Sequence, residues 1–136
     1  MTYQSDNTLT VIDKARVKAG FARHTASHIG ATREAQDWVL RDGDGQCIAC
    51  LELVAMGMTS YIKILWVDDA YRGEGLGKQL MAQAESYAVD KGHEQIWVDT
   101  LGFQAPEFYK ALGYKVIQEV PDYQGDHARI FLMKAL

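Results

Sequence analysis

The sequence has few cysteines, no long apolar run and no excess of positive charge. Lys and Arg number 14 against 18 Asp and Glu, which gives a formal net charge of −4. The chain therefore lacks the overall charge that binding to nucleic acid or to an anionic membrane requires. No apolar run approaches membrane-spanning length, and residues 1–10 are polar and have no apolar signal core. These absences predict a cytoplasmic location, with neither membrane nor nucleic acid as a partner.

The only two cysteines, Cys47 and Cys50, form a C-x-x-C in a strand-like run. This spacing suggests a redox pair or half of a zinc site. Residues three apart in a regular strand point to opposite faces, however, and no second cysteine pair exists to complete a zinc site. We therefore interpret both as ordinary reduced cysteines and expect no metal.

The chain does have enough apolar sequence for one core. Apolar residues make up 48% of its 136 residues and charged residues 24%, as is usual for a globular protein. This length buries a core without metal or disulfide. We expect a single domain over residues 1–136.

The first half of the chain predicts a strand, a helix and a three-stranded meander. The apolar run Leu9 to Ile12 favours a strand, and a helical pattern follows with Asp13 as its N-cap. Asp42-Gly43-Asp44-Gly45 is a strong hairpin turn. The strands of the meander are expected at residues 38–40, 48–56 and 61–67.

The second half predicts a βαβ unit, a short helix and two closing strands. Helical spacing runs from Leu76 to Ala88, and the next strand, residues 95–98, should be parallel to the strand before the helix. Pro106 and Gly113 bracket a short helix through Leu112. The closing strands are expected at residues 114–120 and 128–133. This order predicts an α/β fold with a mixed, mostly antiparallel sheet, a central parallel βαβ unit and helices on both faces.

The stretch Arg72-Gly73-Glu74-Gly75-Leu76-Gly77 joins the strand and helix of this unit. Glycines allow the backbone N–H groups to approach a ligand closely, and the start of a helix adds unpaired N–H groups and a positive dipole end. A pyrophosphate fits such a cradle. A dinucleotide fingerprint would need glycine at Lys78, and a P-loop would need glycine at Arg72 and Ser or Thr at Gln79, so neither motif is present.

Two segments resemble the GCN5-related N-acetyltransferase (GNAT) family. Arg72-x-x-Gly75-x-Gly77, after the strand Leu65-Trp66-Val67-Asp68, is similar to the family's acyl-CoA-binding motif. The second segment, residues 103–114, resembles the family's fourth-helix segment in its aromatic pair Phe108-Tyr109 and its Leu-Gly-aromatic end. The resemblance runs from about Trp38 to Lys134 and is that of a small single-domain bacterial-type member.

The resemblance implies acetyl-CoA as co-substrate, without a metal. The strand Leu65, Trp66 and Val67 would splay from its parallel neighbour and bond the pantetheine amides. A backbone N–H near Leu65 would act as the oxyanion donor, a role typically worth about 3 kcal/mol. The pyrophosphate would be held by the loop residues Arg72, Gly73, Glu74, Gly75, Leu76, Gly77 and Lys78.

Tyr109 occupies the position of the family tyrosine beside the thioester sulfur. Since a tyrosine pKa near 10 exceeds a thiol pKa near 8.5, full proton transfer to the thiolate is unfavourable by roughly 2 kcal/mol. We favour a hydrogen bond to the sulfur instead. The base is open, because Lys63 stands where some relatives carry a glutamate. The candidates are Glu52, Asp99, His24, His28, His127 and a water chain.

The segment from Pro121 to His127 reads as a loop between the last two strands. In the family this loop borders the acceptor pocket, so Tyr123 and His127 are candidates for substrate contact. The resemblance predicts acetyl transfer to a primary amine, on a small molecule or a protein, by direct attack in a ternary complex. An acyl-CoA-sensing module without turnover and a nucleotide-binding module are the alternatives. Exposed edge strands make a homodimer a further expectation.

Overall fold

The computed structural model describes residues 2–29 and 33–136. The chain divides into two compact units, Met1–Arg33 and Glu34–Leu136. None of the helices in the described ranges is long and apolar enough to cross a membrane. One catalytic domain over residues 1–136 stays a prediction.

The first unit contains the helix α1 (Val11–Ile29). The predicted strand at Leu9–Ile12 is wrong, because the helix already includes Val11 and Ile12. Asp13 is not the N-cap either. Thr10 Oγ1 accepts a hydrogen bond from the Asp13 N–H at 3.1 Å, and Asp13 Oδ2 accepts one from the Thr10 N–H at 2.9 Å. This reciprocal capping box starts the helix at Val11 and outweighs the strand preference of a short apolar run.

The second unit is a six-stranded sheet with two helices. The strand order is β1-β2-β3-β4-β6-β5. Its elements are β1 (Glu34–Arg41), β2 (Cys47–Met56), β3 (Thr59–Val67), α2 (Leu76–Asp90), β4 (Gln95–Leu101), α3 (Pro106–Ala111), β5 (Lys115–Gln124) and β6 (His127–Ala135). β3 and β4 pair in parallel across α2, and the other four pairs are antiparallel. The predicted α/β class with a mixed sheet and a central parallel βαβ unit is confirmed.

The core lies between this sheet and α2. The helix buries Leu80, Met81, Ala84 and Ala88, which recur at helical spacing along one side. In β4 the residues Ile96, Val98 and Thr100 are buried in this core, whereas the residues between them lie on the opposite face of the sheet. β4 therefore has one face toward α2 and one face away from it.

A β-bulge in β2 overturns the expected geometry of the two cysteines. Leu40 pairs with Ala49 but Arg41 pairs with Cys47, so Ile48 is an extra residue. Cys47 and Cys50 consequently lie on the same face, and not on opposite faces as a regular strand would place them. Both thiols are free, and burial raises the pKa of the Cys50 thiol, with a further contribution from Cys47. Their interpretation as ordinary reduced cysteines stays a prediction.

The predicted loop between the last two strands is mostly strand. β5 continues through Gln124 and β6 begins at His127, which leaves a tight hairpin with Gly125 at a φ of 60°. The register shifts between Val120 and Gln124, around Pro121. The loop prediction failed because β5 is an edge strand, where a proline that lacks an N–H donor is tolerated.

Candidate active site

A gap opens between the parallel strands β3 and β4. They pair from Thr59 with Gln95 to Ile62 with Val98, and no further. Beyond that point β3 continues to Val67 paired only with β2, while β4 continues to Leu101 paired only with β6. The two strands therefore diverge after their fourth pair, as the resemblance predicted.

The divergence starts at a second β-bulge. Leu53 pairs with Ile62 and Glu52 with Ile64, so Lys63 has no partner residue in β2. A bulge bends its strand and increases the local twist, which turns the end of β3 away from β4. The Lys63 ammonium lies 3.4 Å from a Glu52 carboxylate oxygen.

Backbone groups at the end of β3 face the gap. The Asp68 N–H donates to the Ile48 carbonyl of β2 at 2.8 Å. Since successive residues of a strand direct their N–H groups to alternate sides, the N–H groups of Leu65 and Val67 point away from β2 and into the gap. That of Trp66 points toward β2. The N–H groups of Leu65 and Val67 therefore point in the direction that an oxyanion donor requires. Their role as that donor stays a prediction.

The glycine loop follows a short 3₁₀ turn (Asp69–Tyr71) and leads into α2. Gly73 and Gly75 have φ angles of 84° and 82°, in the left-handed region that favours glycine. The backbone N–H groups from Gly73 to Lys78 donate to no acceptor among the described residues, and the first helical bond is made by Gln79. The loop and the first turn of α2 thus present a series of free N–H donors, which suits an anion.

The side chains of the loop contribute less than its backbone. Arg72 folds back, with Nη2 at 3.1 Å from Asp69 Oδ1 and Nε donating to the Val67 carbonyl at 3.4 Å. Glu74 and Lys78 are exposed. An exposed ion pair such as that of Arg72 is weak, so its guanidinium is free to exchange Asp69 for a phosphate.

Gly77 has a different role from the other glycines of the loop. A Cβ at this position would lie 3.3 Å from Cζ of Phe108, closer than side chains normally pack. Gly77 therefore allows α3 to approach α2. Close approach of a pyrophosphate is the predicted reason for this glycine, and the packing with Phe108 is a second reason.

Tyr109 lies on α3 and is buried, with 6% of its surface exposed. Its ring meets those of Phe108 and Tyr114 edge to face, at centroid distances of 5.1 and 5.9 Å. Its hydroxyl has no hydrogen-bond partner among the described residues, and it is not one of their buried unpaired polar atoms. Desolvation, and then the negative charge of Asp99, raise the pKa of Tyr109 to about 12. At neutral pH the hydroxyl is therefore a proton donor with nothing in the described protein to accept from it.

A polar network lies on the face of the sheet away from α2. The Tyr61 hydroxyl donates to Asp99 Oδ1 at 2.6 Å, and Arg129 Nη2 donates to Asp99 Oδ2. Arg129 Nη1 donates to the Tyr123 hydroxyl at 3.0 Å. The network therefore connects Tyr123, a predicted substrate contact, with Asp99, a predicted base.

Tyr61 and Arg129 were not predicted as site residues from the sequence. Strand alternation contained the signal: Ile130 and Leu132 face the core, which places Arg129 on the same face as Asp99. The predicted contact His127 lies outside the network, and its ring packs against Phe103 at 4.7 Å.

The base candidates are each engaged elsewhere. Glu52 pairs with Lys63, and Asp99 accepts from Tyr61 and Arg129. His24 and His28 lie on α1 in the first unit, with their rings 4.3 Å apart. None of these contacts singles out a base. A concavity of about 420 Å³ on the face away from α2 contains none of the predicted site residues, and it is lined by Thr59, Gln95, Trp97, Ile117, Gln118, Phe131 and Met133.

Comparison with known proteins identifies the family. The acetyltransferase (GNAT) domain family matches residues 33–116, more than half of the chain. This protein belongs to the GNAT family of acetyltransferases.

Three similar proteins illustrate the match. The blasticidin-S acetyltransferase of Streptomyces morookaense is 40% identical over 77 residues, which are 56% of this chain and 57% of that protein. The thialysine N-epsilon-acetyltransferase of Bos taurus is 30% identical over 82 residues, 59% of this chain and 46% of that protein. The chain thus spans about half the length of these relatives. A crystal structure of an acetyltransferase from Bacillus cereus superposes with a TM-score of 0.82 at 28% identity and covers 98% of both chains.

Proposed function

We propose that this protein transfers the acetyl group of acetyl-CoA to a primary amine by direct attack in a ternary complex. The observation that carries the proposal is the gap between β3 and β4. Free backbone N–H groups line it at Leu65 and Val67. The glycine loop follows the end of β3, and α2, which starts at that loop, packs through Gly77 against the ring beside Tyr109.

The residues present fit acetyl-CoA. The free N–H groups from Gly73 to Lys78, at the positive end of α2, suit its pyrophosphate. The backbone of Leu65, Trp66 and Val67 suits the amides of its pantetheine arm. When bound, acetyl-CoA supplies an acetyl group activated as a thioester.

Two groups would stabilise the charge that develops during transfer. The Leu65 N–H would donate to the carbonyl oxygen as it gains negative charge. The Tyr109 hydroxyl would donate to the departing sulfur. Because its pKa of about 12 exceeds a thiol pKa of about 8.5, full proton transfer is unfavourable by roughly 5 kcal/mol. Tyr109 therefore acts through a hydrogen bond, and the proton released by the amine finally neutralises the thiolate.

We propose a small molecule as the acceptor, since the names of two relatives, blasticidin-S and thialysine acetyltransferases, refer to small amines. Tyr123 is proposed to border the acceptor side, with His127 as a weaker candidate. The alternative is an acyl-CoA-binding module without turnover. The pairing of Glu52 with Lys63 favours this alternative, because it engages the β2 carboxylate that lies opposite the strand where some relatives carry a glutamate.

The test is CoA-thiol release with blasticidin S, thialysine and spermidine, with acetylation of the amine checked by mass. We expect release that depends on both protein and amine. Binding of acetyl-CoA by calorimetry without release for any amine would support the alternative. Failure to bind acetyl-CoA would contradict both functions.

A further inference from the structure

Asp99 lies at the point where β3 and β4 diverge. It directly follows Val98, the last residue of β4 that pairs with β3. Val98 and Thr100 face the core under α2, so Asp99 faces the other side of the sheet. Tyr109 is on the α2 side, and the charge of Asp99 reaches it strongly enough to raise its pKa. Asp99 therefore lies where the gap opens, on the face of the sheet opposite to the core that contains Tyr109.

The carboxylate of Asp99 is held in place with acceptor capacity to spare. It receives one hydrogen bond on each oxygen, from Tyr61 and from Arg129. An ionised carboxylate has about four lone-pair positions, so each oxygen accepts a further donor. The side chain is 12% exposed, which leaves it a narrow opening to solvent.

Arg129 is fixed more firmly than an ordinary surface arginine. Its guanidinium lies 5.1 Å from the ring centroid of Tyr123 and 5.6 Å from that of Phe131. Its Nε is buried and has no hydrogen-bond partner among the described residues. A buried unpaired donor is destabilising, so stability alone does not explain why the chain places an arginine here.

We propose that Asp99 binds the protonated amino group of the acceptor, and that Arg129 is a positioning residue that holds Asp99 for this contact. The ligand class is a primary ammonium ion, which donates to the remaining lone pairs of Asp99 before it loses a proton to solvent and attacks. Glu52, the carboxylate on β2, is less suited because Lys63 already pairs with it. The proposal rests on the acetyl-transfer function proposed above.

The binding test does not depend on turnover. The full chain saturated with CoA is titrated with methylammonium chloride and followed by NMR, and tetramethylammonium chloride, which has no N–H donor, is the control salt. We expect saturable shifts at Asp99 and Tyr61 for methylammonium only. Asp99→Asn and Arg129→Gln should weaken this binding roughly 10- to 100-fold, the effect of losing a hydrogen bond to a charged group.

The kinetic test uses the amine that the wild-type chain acetylates fastest. Asp99→Asn should raise the acceptor KM roughly 10- to 100-fold, while the Kd for acetyl-CoA stays within about twofold. Arg129→Lys keeps the charge but loses the planar guanidinium, so its acceptor KM should lie between those of the wild-type chain and Arg129→Gln. The matched control is Glu85→Gln, because Glu85 also accepts from a tyrosine (Tyr114, 2.9 Å) and from a cation (Lys134, 3.0 Å), within the α2 side of the fold.

An Asp99→Asn variant with wild-type methylammonium affinity and wild-type acceptor KM would overturn the proposal. A KM rise of the same size in Glu85→Gln would also overturn it, because the effect would then be structural. If Asp99→Asn does not fold, the methylammonium affinity and the acceptor KM of Tyr61→Phe and Arg129→Lys test the proposal instead. If no amine is acetylated, the proposed function fails, and the methylammonium titration still decides this inference.

Discussion

The hydroxyl of Tyr109 is the group whose surroundings best match a catalytic task. Its ring is held by Phe108 and Tyr114, and its buried position raises the pKa to about 12. A phenol that stays neutral and has no partner in the described protein is available to a ligand.

Replacing Tyr109 by Phe should lower turnover and leave acetyl-CoA binding nearly unchanged. The hydroxyl contributes only as charge builds on the sulfur, so kcat and kcat/KM should fall together by roughly 10- to 1000-fold. Steady-state kinetics and calorimetry on the same preparation measure both. Wild-type turnover by Tyr109→Phe would reassign the residue to packing.

The pH dependence separates Tyr109 from the base. Because the pKa of Tyr109 is raised to about 12, the hydroxyl remains protonated over the range in which amines titrate. We expect kcat/KM to rise with an inflection that follows the amine's own pKa, toward roughly 9 or 10. A histidine base would instead give a fixed inflection near about 6.5.

Two amines of different pKa make this measurement decisive. An inflection that stays fixed when the amine changes would contradict attack assisted by solvent. His24, His28, His127, Glu52 and Asp99 should then be replaced one at a time.

At the scale of elements, the glycine loop and the start of α2 use their glycines for two purposes. Gly75 has a φ of 82°, and a Cβ there would meet nothing within 4 Å. A glycine is therefore needed at position 75 for its backbone conformation and not for lack of space. Gly77 lies within the helix, and a glycine is needed there because a Cβ would lie 3.3 Å from the ring of Phe108.

Substitutions at the two glycines should therefore fail in different ways. Gly75→Val should weaken acetyl-CoA binding because valine resists the left-handed conformation, while Gly75→Asn, which tolerates it, should bind more tightly than Gly75→Val. Gly77→Val should separate α3 from α2 and lower both the melting temperature and turnover. Calorimetry and thermal unfolding distinguish the two patterns.

Unchanged acetyl-CoA binding in a folded Gly75→Val would remove the loop from the pyrophosphate site. Equal binding by the Asn and Val variants would show that backbone conformation is not the reason for the glycine.

The sequence predicted those elements whose signals are local. The helix from Leu76, the glycine loop and the six strands of the sheet follow from periodicity and turn residues within a single segment. The bulges at Ile48 and Lys63 could not be predicted, because a bulge is defined by the residues opposite it in another strand. The contact of Arg129 with Asp99 likewise requires the register of β4 and β6. The capping box of Thr10 and Asp13 was readable, and it was missed because an apolar run was given more weight.

At the scale of the whole second unit, the sheet separates two environments. The face toward α2 is an apolar core that also contains the phenol groups of Tyr109 and Tyr114, and the other face carries the network of Tyr61 and Asp99. Burial is the largest cause that raises the pKa of each of these three tyrosines. The fold therefore stabilises the neutral form of all three tyrosines relative to the ionised form.

This arrangement predicts a loss of stability in alkali. The pKa of Tyr61 and that of Tyr109 are each raised to about 12, and the pKa of Tyr114 is raised as well, whereas an unfolded tyrosine titrates near about 10. Below pH about 10 these tyrosines are neutral in both the folded and the unfolded chain, so their titration does not lower the free energy of unfolding. As the pH rises from about 10 through 12, the unfolded chain releases protons that the folded chain retains, so the free energy of unfolding falls. Urea unfolding from pH 8 to 11, followed by circular dichroism, should show this decline, and it should be shallower in Tyr114→Phe and Tyr109→Phe. A midpoint that does not change with pH, or one that falls as steeply in both variants as in the wild-type chain, would contradict the prediction.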